Sequence, residues 1–306
     1  MKFIEQLPKP NQSRLLLYLP FPLLVLFIIV SNALIPSQDL DVNQFIKDQI
    51  ERKGSNQFLV ENLIPFVIFL FLLLIWVKFG HKQTIISLTT ARKKIDWNRI
   101  FFSFYIWGLF TLVTVLIGYF LHPQFFVLNF KPIPFLILFC ISVVFIPIQT
   151  SCEEYFFRGY LMQGIGLVTK RRFFPFLITA FMFGIIHIGN PEVEKMGGII
   201  MIYYIGTGIF LGILTLMDDG LELALGFHAA NNLIGALLLT SDWSAFQTDS
   251  IFIDKSTPLV VFDVLFPVFI YFPILIFIFS KKYKWSNWKE KLTGKIYFIE
   301  PTNQIL

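Results

Sequence analysis

Six polar side chains lie within or beside long apolar stretches of this sequence, in three groups. The groups are Glu153, Glu154 and Arg158; His187; and His228 and Asn232. Ionisable groups inside a membrane are costly, and so they mark a functional site by default. A carboxylate can activate a water molecule, and His and Asn can donate hydrogen bonds to the oxyanion that forms when water attacks an amide. This set of side chains therefore predicts hydrolysis of a peptide bond.

The first group has the spacing of a helix face. Glu154 and Arg158 are four residues apart, with the glutamate on the N-terminal side, which is the favourable order for an ion pair. Glu153 is rotated from Glu154 by about 100° around such a helix. One carboxylate can therefore pair with the arginine while the other faces a cavity and acts as a base. A structural salt bridge with one spare glutamate is the alternative interpretation.

The histidine groups also have structural alternatives. His187 lies late in an apolar segment, just before the helix-stop residues Gly189, Asn190 and Pro191, and a lone histidine there can be a satisfied core residue. His228 and Asn232 are four residues apart and so share one helix face, where polar groups can also serve as interhelical hydrogen-bonding partners.

The segments that must position these groups are membrane helices. The chain has 306 residues, of which 56% are hydrophobic and 15% charged, against about 45–50% and about 25% in soluble domains. These values exclude a disordered chain, a disulfide scaffold, a coiled coil and a nucleic-acid-binding domain. Runs of roughly 20 apolar residues mark spans. They predict an all-α, polytopic membrane helical bundle of about eight transmembrane helices, at about 15–36, 58–79, 100–121, 133–152, 173–189, 197–217, 221–240 and 258–280.

The placement of basic residues predicts the orientation of these helices. With the N-terminus in the cytoplasm, the inner segments carry 18 Lys and Arg residues and the outer segments carry six. Because cytoplasmic loops are enriched in Lys and Arg, both termini are predicted to be cytoplasmic. The inner residues are Lys2, Lys9 and Arg14, six residues in 78–99, residues 170–172, and six residues in 281–295.

Three motifs occur in order along the chain. They are EExxxR (Glu153, Glu154 and Arg158), FxxxH (Phe183 and His187) and HxxxN (His228 and Asn232). Together they resemble the CPBP intramembrane proteases, a family that includes the type II CAAX prenyl endopeptidases and the bacteriocin-processing and self-immunity proteins of the Abi group. The resemblance covers roughly residues 133–245. It implies a catalytic membrane domain at 131–245, preceded at 1–130 by N-terminal transmembrane helices of unassigned role and followed at 246–306 by a last transmembrane helix and a basic cytoplasmic tail.

The resemblance also implies roles for the residues of the motifs, in a site that faces the cytosol. Glu153 would activate the water, with Glu154 and Arg158 in support, and His187 would orient that water or Glu153. His228 and Asn232 would form the oxyanion hole, and Phe183 would be a further supporting residue. The family's usual members, together with a composition rich in Phe, Ile and Lys, favour a bacterial cytoplasmic membrane.

Two questions about the activity stay open from the sequence. A metal-free, glutamate-dependent enzyme is favoured, but Glu153, His187 and His228 could also hold zinc with a water in the open position. The expected partners are a peptide or protein substrate at the membrane and the lipid bilayer, with no nucleic acid. The alternative is a non-catalytic membrane scaffold or partner-binding protein whose polar residues only hold helices together. A transporter would need ionisable residues through the full depth of the bilayer, and the first three spans and the last offer almost none.

Overall fold

The computed structural model describes residues 3–6, 15–34 and 42–298, and most of them are helical. The first helices are α1 (Pro20–Leu34), α2 (Val42–Lys53), α3 (Ser55–Ile75), α4 (Ile85–Thr89) and α5 (Trp97–Leu121). The later helices are α6 (Pro132–Glu154), α7 (Met162–Thr169), α8 (Phe173–Ile185), α9 (Pro191–Met196), α10 (Met201–Asp218), α11 (Glu222–Leu238), α12 (Phe272–Lys282) and α13 (Trp288–Thr293). The predicted all-α class is confirmed.

Short π-helical, 3₁₀ and extended segments join these helices. The π-helical segments are Trp76–Gly80, Tyr155–Leu161, Val261–Leu265 and Pro267–Tyr271, and the 3₁₀ segments are Phe3–Glu5, Pro123–Phe125 and Gly197–Ile200. Three strands, β1 (Phe126–Leu128), β2 (Leu239–Thr240) and β3 (Phe252–Asp254), form a small sheet in the order β1-β3-β2. β3 is antiparallel to β1 and parallel to β2.

Five helical stretches in the described part of the chain are long and apolar enough to cross a membrane. They are Ser55–Gly80, Trp97–Leu121, Pro132–Thr169, Pro191–Asp218 and Val261–Lys282. The apolar helices Pro20–Ser31 and Phe173–Ile185 are shorter. α8 has 13 residues, and at 1.5 Å per residue it rises only about 20 Å, less than the roughly 30 Å of a bilayer core. The predicted number of eight spans is not confirmed.

The helix that carries both glutamates is much longer than a single span. Pro132–Thr169 runs through 38 residues, or about 57 Å at 1.5 Å per residue. Its continuation beyond Glu154 is buried in protein rather than exposed, since residues 155–164 are all buried. Lys170 then adopts a left-handed conformation with φ 55°, which ends α7 and reverses the chain. α8 packs back against α7, as expected for a helical hairpin.

The loops of the bundle gather on two opposite faces. On the first, which we call the network face, the segments 89–99, 170–172, 218–222 and 285–296 meet. Backbone hydrogen bonds join them, from Ala91 N to Asp219 O at 2.9 Å and from Ile296 N to Lys170 O at 3.0 Å. This grouping is the one that the alternation of spans predicts. That this face is cytoplasmic stays a prediction.

The opposite face carries the small sheet. There Asn129 N donates to Ile251 O at 2.8 Å, and Asn56 Nδ2 donates to Pro134 O at 3.0 Å. The basic residues Lys2, Lys9 and Arg14, the end of the predicted first span at 35–36 and the tail from residue 299 lie outside the described residues. The division of the chain at residues 130 and 245 stays a prediction.

Two close helix contacts position the polar groups of the centre. A methyl group at Gly226 would collide with the carbonyl oxygen of Ile100, so this glycine allows α11 to approach α5 closely. A methyl group at Gly208 would likewise collide with the carbonyl oxygen of Ala180, where α10 crosses α8. Backbones that approach this closely are typical of small residues at membrane helix interfaces.

Candidate active site

Both glutamates of the first motif are buried at the C-terminal end of α6. Glu154 is fully buried and Glu153 is 7% exposed. The π-helical segment Tyr155–Leu161 begins directly after them, and Pro147 lies inside α6 two turns earlier. Single turns of π-helix are rare and occur often at functional sites. The two carboxylates therefore lie where the regular helix changes its winding.

Glu154 is held by two partners. Arg158 Nη1 donates to Glu154 Oε1 at 2.9 Å, and His228 Nδ1 donates to the same oxygen at 2.8 Å. Arg158 is fully buried and reaches α10 through a hydrogen bond from Nη2 to Gly208 O at 3.2 Å. Its guanidinium carbon also lies 4.3 Å from the centre of the Phe183 ring. Glu154 thus connects an ion pair on its own helix to the imidazole of α11.

Glu153 faces the other nitrogen of the same imidazole. Its Oε1 accepts a hydrogen bond from Gln149 Nε2 at 2.5 Å. Its Oε2 lies 3.6 Å from His228 Nε2 and is buried with no hydrogen-bond partner among the described residues. His228 is itself 4% exposed. The imidazole therefore lies between the two glutamates, with one nitrogen bonded to Glu154 and the other directed towards Glu153.

His187 belongs to the same cluster through an aromatic contact. It lies in a turn just beyond the end of α8, and its Nδ1 donates to Phe183 O at 2.7 Å. Its ring stacks on Tyr204, with the ring centres 4.5 Å apart. The Phe183 ring lies 4.8 Å from the His187 ring and 5.7 Å from the His228 ring. Within the described part of the chain, His187 makes no hydrogen bond to Glu153.

Asn232 approaches the site through a residue that the sequence analysis did not identify. Asn232 Nδ2 donates to Gln149 Oε1 at 3.2 Å, and Gln149 also donates to Glu153. The one available signal was the position of Gln149, four residues before Glu153 in an otherwise apolar helix. Tyr204 and Asn231 were also missed, because neither belongs to a motif.

The predicted zinc ligands do not form a ligand set. Across residues 3–6, 15–34 and 42–298, no three His, Cys, Asp or Glu side chains lie where they could hold a metal ion together. His228 Nδ1 is already bonded to Glu154, which leaves Glu153 Oε2 and His228 Nε2 as a pair. A structural or catalytic zinc site takes three or four protein ligands. Zinc binding by Glu153, His187 and His228 stays a prediction.

What the site can do chemically follows from these contacts. It offers a carboxylate oxygen without a partner, an imidazole nitrogen facing that oxygen, and an amide donor one hydrogen bond away. Such a set can accept a proton from water and donate hydrogen bonds to an oxyanion.

The chain is similar to known proteins over this part. A family model described as type II CAAX prenyl endopeptidase Rce1-like matches residues 129–234. The uncharacterized protein YyaK of Bacillus subtilis (strain 168) is 32% identical over 209 residues, which are 67% of this chain and 70% of YyaK. No solved structure matches the chain.

Proposed function

The chain belongs to the Rce1-like family of type II CAAX prenyl endopeptidases, and on this premise we propose that it is an integral membrane endopeptidase whose general base is Glu153. One observation carries the proposal. Glu153 Oε2 is buried, has no hydrogen-bond partner among the described residues and faces His228 Nε2 at 3.6 Å. Buried polar groups are normally paired. Glu154 Oε2 is also unpaired, but Glu154 Oε1 is held by both Arg158 and His228, which leaves Glu153 as the carboxylate without a bonded cation.

In the proposed reaction, Glu153 takes a proton from a water molecule, and the oxygen of that water attacks the scissile carbonyl. The carbonyl electron pair moves onto its oxygen, and the resulting oxyanion accepts hydrogen bonds from His228 Nε2 and Asn232 Nδ2. The C–N bond then breaks, and the proton held by Glu153 passes to the leaving amine. No metal takes part in any step. His187, which lies beside Phe183, orients the water.

The proposed role of His228 as an oxyanion donor requires a proton on both ring nitrogens, because Nδ1 already donates to Glu154 Oε1. With His228 as an imidazolium, the buried group of Glu153, Glu154, Arg158 and His228 has no net charge. Glu154 fixes the Nδ1 side of the ring, so the Nε2–H is the group directed towards the substrate. Glu154 and Arg158 therefore position His228 and do not touch the reacting atoms themselves.

The proposed substrate is a peptide that is cut near its C-terminus or near the membrane surface. The family description points to a prenylated CAAX sequence, and a bacteriocin, pheromone or leader peptide is an equal candidate. The proposed location is a bacterial cytoplasmic membrane with both termini in the cytoplasm. Cysteine labelling in a chain without Cys140 and Cys152 tests this orientation. Lys93→Cys should react from the cytoplasmic side and Lys255→Cys from outside, and the opposite result would reverse it.

The function is tested with the full chain in proteoliposomes. The probes are a farnesylated CAAX peptide, the same peptide without the lipid, and a library of unmodified peptides, with the cut bonds identified by mass spectrometry. Cleavage is expected for the wild type and should be lost in Glu153→Gln. Glu194→Gln is the matched control, because Glu194 is an exposed glutamate whose described partner is Asn43. Cleavage that does not depend on Glu153, or no cleavage of any probe, would overturn the proposal.

The metal-free mechanism needs its own measurement. The metal content of the purified, active protein is determined, and cleavage is followed before and after treatment with 1,10-phenanthroline. The chelator should leave the cleavage rate unchanged, and the purified protein should contain less than one zinc ion per chain. If the chelator abolishes activity and added zinc restores it, a metal activates the water in place of Glu153.

A further inference from the structure

A continuous row of hydrogen bonds connects three helices and ends at Glu153. Trp107 Nε1 on α5 donates to Asn231 Oδ1 at 3.1 Å, and Asn231 Nδ2 donates to Asn232 Oδ1 at 3.1 Å. Asn232 Nδ2 then donates to Gln149 Oε1 at 3.2 Å, and Gln149 Nε2 donates to Glu153 Oε1 at 2.5 Å. Every bond in the row points in the same direction.

The two ends of the row determine that direction. An amide side chain can be turned by 180° without changing its shape, so its orientation has to come from its partners. An indole nitrogen can only donate, and an ionised carboxylate can only accept. Trp107 at one end therefore requires an amide oxygen, and Glu153 at the other requires an amide N–H. Each of the three amides between them is left with one orientation.

The fixed orientation of the amides matters most at Asn232. Its oxygen is occupied by Asn231, and one of its two N–H groups is used by Gln149. The other N–H has no acceptor within residues 3–6, 15–34 and 42–298. In the opposite orientation, Asn232 would present an oxygen to the site, and that oxygen would repel an oxyanion.

We infer that Trp107, Asn231 and Gln149 are positioning residues that keep an N–H of Asn232 directed at the oxyanion. This inference rests on the proposed function, because it assigns the residues that prepare one of its two oxyanion donors. It extends the site beyond the three sequence motifs to α5, which lies in the part of the chain with no role assigned from the sequence.

The packing of Trp107 suits this role. The indole is 7% exposed and lies against Phe227, with the ring centres 4.7 Å apart, and against Phe110 at 5.1 Å. The close approach of α5 to α11 at Gly226 helps to bring the indole within hydrogen-bond distance of Asn231. Because the ring packs against these two phenylalanines, Trp107→Phe removes the N–H group while most of the aromatic packing stays.

The test compares Trp107→Phe with the wild type in the proteoliposome assay. Removing an oxyanion donor lowers kcat by about 10²–10³, and loss of its orientation alone should lower kcat by about 10-fold, with KM changed less than about twofold. Trp76→Phe is the matched control, because Trp76 Nε1 also donates one hydrogen bond, to Leu17 O at 2.9 Å, away from the site. It should retain the wild-type kcat. Rates are expressed per folded molecule.

The same substitution made in a chain that lacks Asn232 separates a positioning role of Trp107 from a general packing role. In an Asn232→Ala chain, Trp107→Phe should cause no further loss of kcat, because the donor that it orients is absent. Asn231→Leu breaks the row of hydrogen bonds at the next residue and should lower kcat as much as Trp107→Phe does. If Trp107→Phe does not fold, the result for Asn231→Leu decides the question. Wild-type kcat in both variants, or an equal loss in the Asn232→Ala background, would overturn the inference while Glu153-dependent cleavage stands. Absence of Glu153-dependent cleavage in the wild type would instead overturn the proposed function.

Discussion

Two clusters of buried charge, one on the network face and one in the candidate active site, differ in how completely their polar atoms are paired. On the network face, Asp218 and Glu222 lie next to Arg92 and Arg99. Asp218 Oδ2 is 2.9 Å from Arg92 Nη2, and Asp218 Oδ1 accepts from Arg99 and, at 3.2 Å, from Trp285 Nε1. Both oxygens of Glu222 are also paired, one with Arg92 at 3.1 Å and one with the backbone N–H of Asp96 at 3.3 Å.

The candidate active site holds comparable charges in a less complete arrangement. Glu153 Oε2, Glu154 Oε2 and Arg158 Nε are buried and have no hydrogen-bond partner among the described residues. Leaving such a group unpaired costs about 1–3 kcal/mol, and more if it is charged. The comparison teaches that the carboxylates of Asp218 and Glu222 are fully paired on the network face, although Arg172 Nε on that face has no partner among the described residues. The carboxylates of the candidate active site are partly unpaired, where we propose that a substrate and a water bind.

The largest expected effect is that of Glu153→Gln on turnover. Removing a general base should lower kcat by about 10²–10⁴, while the yield of folded protein should stay near that of the wild type because the shape is kept. The measurement is kcat per folded molecule, beside the thermal midpoint in detergent. A loss of folded protein that accounts for the lost activity would show that Glu153 serves the fold, as the residues of the network face do.

The second prediction concerns Asn232 and separates an oxyanion donor from a helix contact. Asn232→Ala should lower kcat by about 10²–10³ with KM little changed. Asn232→Asp should be at least as damaging, because it places negative charge where negative charge must develop. Kinetics on both variants, normalised to folded protein, decide between these roles. An active Asn232→Asp enzyme would contradict the oxyanion assignment.

A smaller effect, on stability instead of turnover, is expected on the network face. Asp218→Asn removes the charge that pairs with Arg92 and Arg99, and both arginines are only partly exposed. The free energy of unfolding should fall by about 2–3 kcal/mol, below the range for a fully buried pair, while kcat per folded molecule is unchanged. Thermal unfolding and kinetics on the same preparation check this. A drop in kcat at full stability would place Asp218 in the reaction.

The smallest effect is expected for a neutral donor of the same cluster. Trp285→Phe removes one hydrogen bond to Asp218, which keeps its two arginine partners. The free energy of unfolding should fall by about 1 kcal/mol, and kcat should not change. Chemical denaturation is the measurement. A cost as large as that of Asp218→Asn would mean that the C-terminal segment, and not the ion pairs, holds the network face together.

Features that depend on neighbouring residues were predictable from the sequence. The apolar runs at 58–79 and 100–121 correspond to the helical stretches Ser55–Gly80 and Trp97–Leu121, because length and hydropathy are local properties. The pairing of Glu154 with Arg158 followed from helical spacing and occurs at 2.9 Å. The family could be identified because its three motifs are short and each spans only a few neighbouring residues.

Features that depend on contacts between helices were decided by the tertiary structure. The helix begun at Pro132 continues to Thr169, past the end of its apolar run, because protein surrounds residues that a bilayer would not accept. His228 bonds Glu154 and faces Glu153, although nothing in the order of the motifs says which glutamate it would touch. Trp107, Asn231 and Gln149 come from three helices, and their connection depends on how α5, α6 and α11 are rotated about their axes. That rotation is set by close packing between helices at residues such as Gly226. The spacing of polar residues along one helix carries no information about such packing.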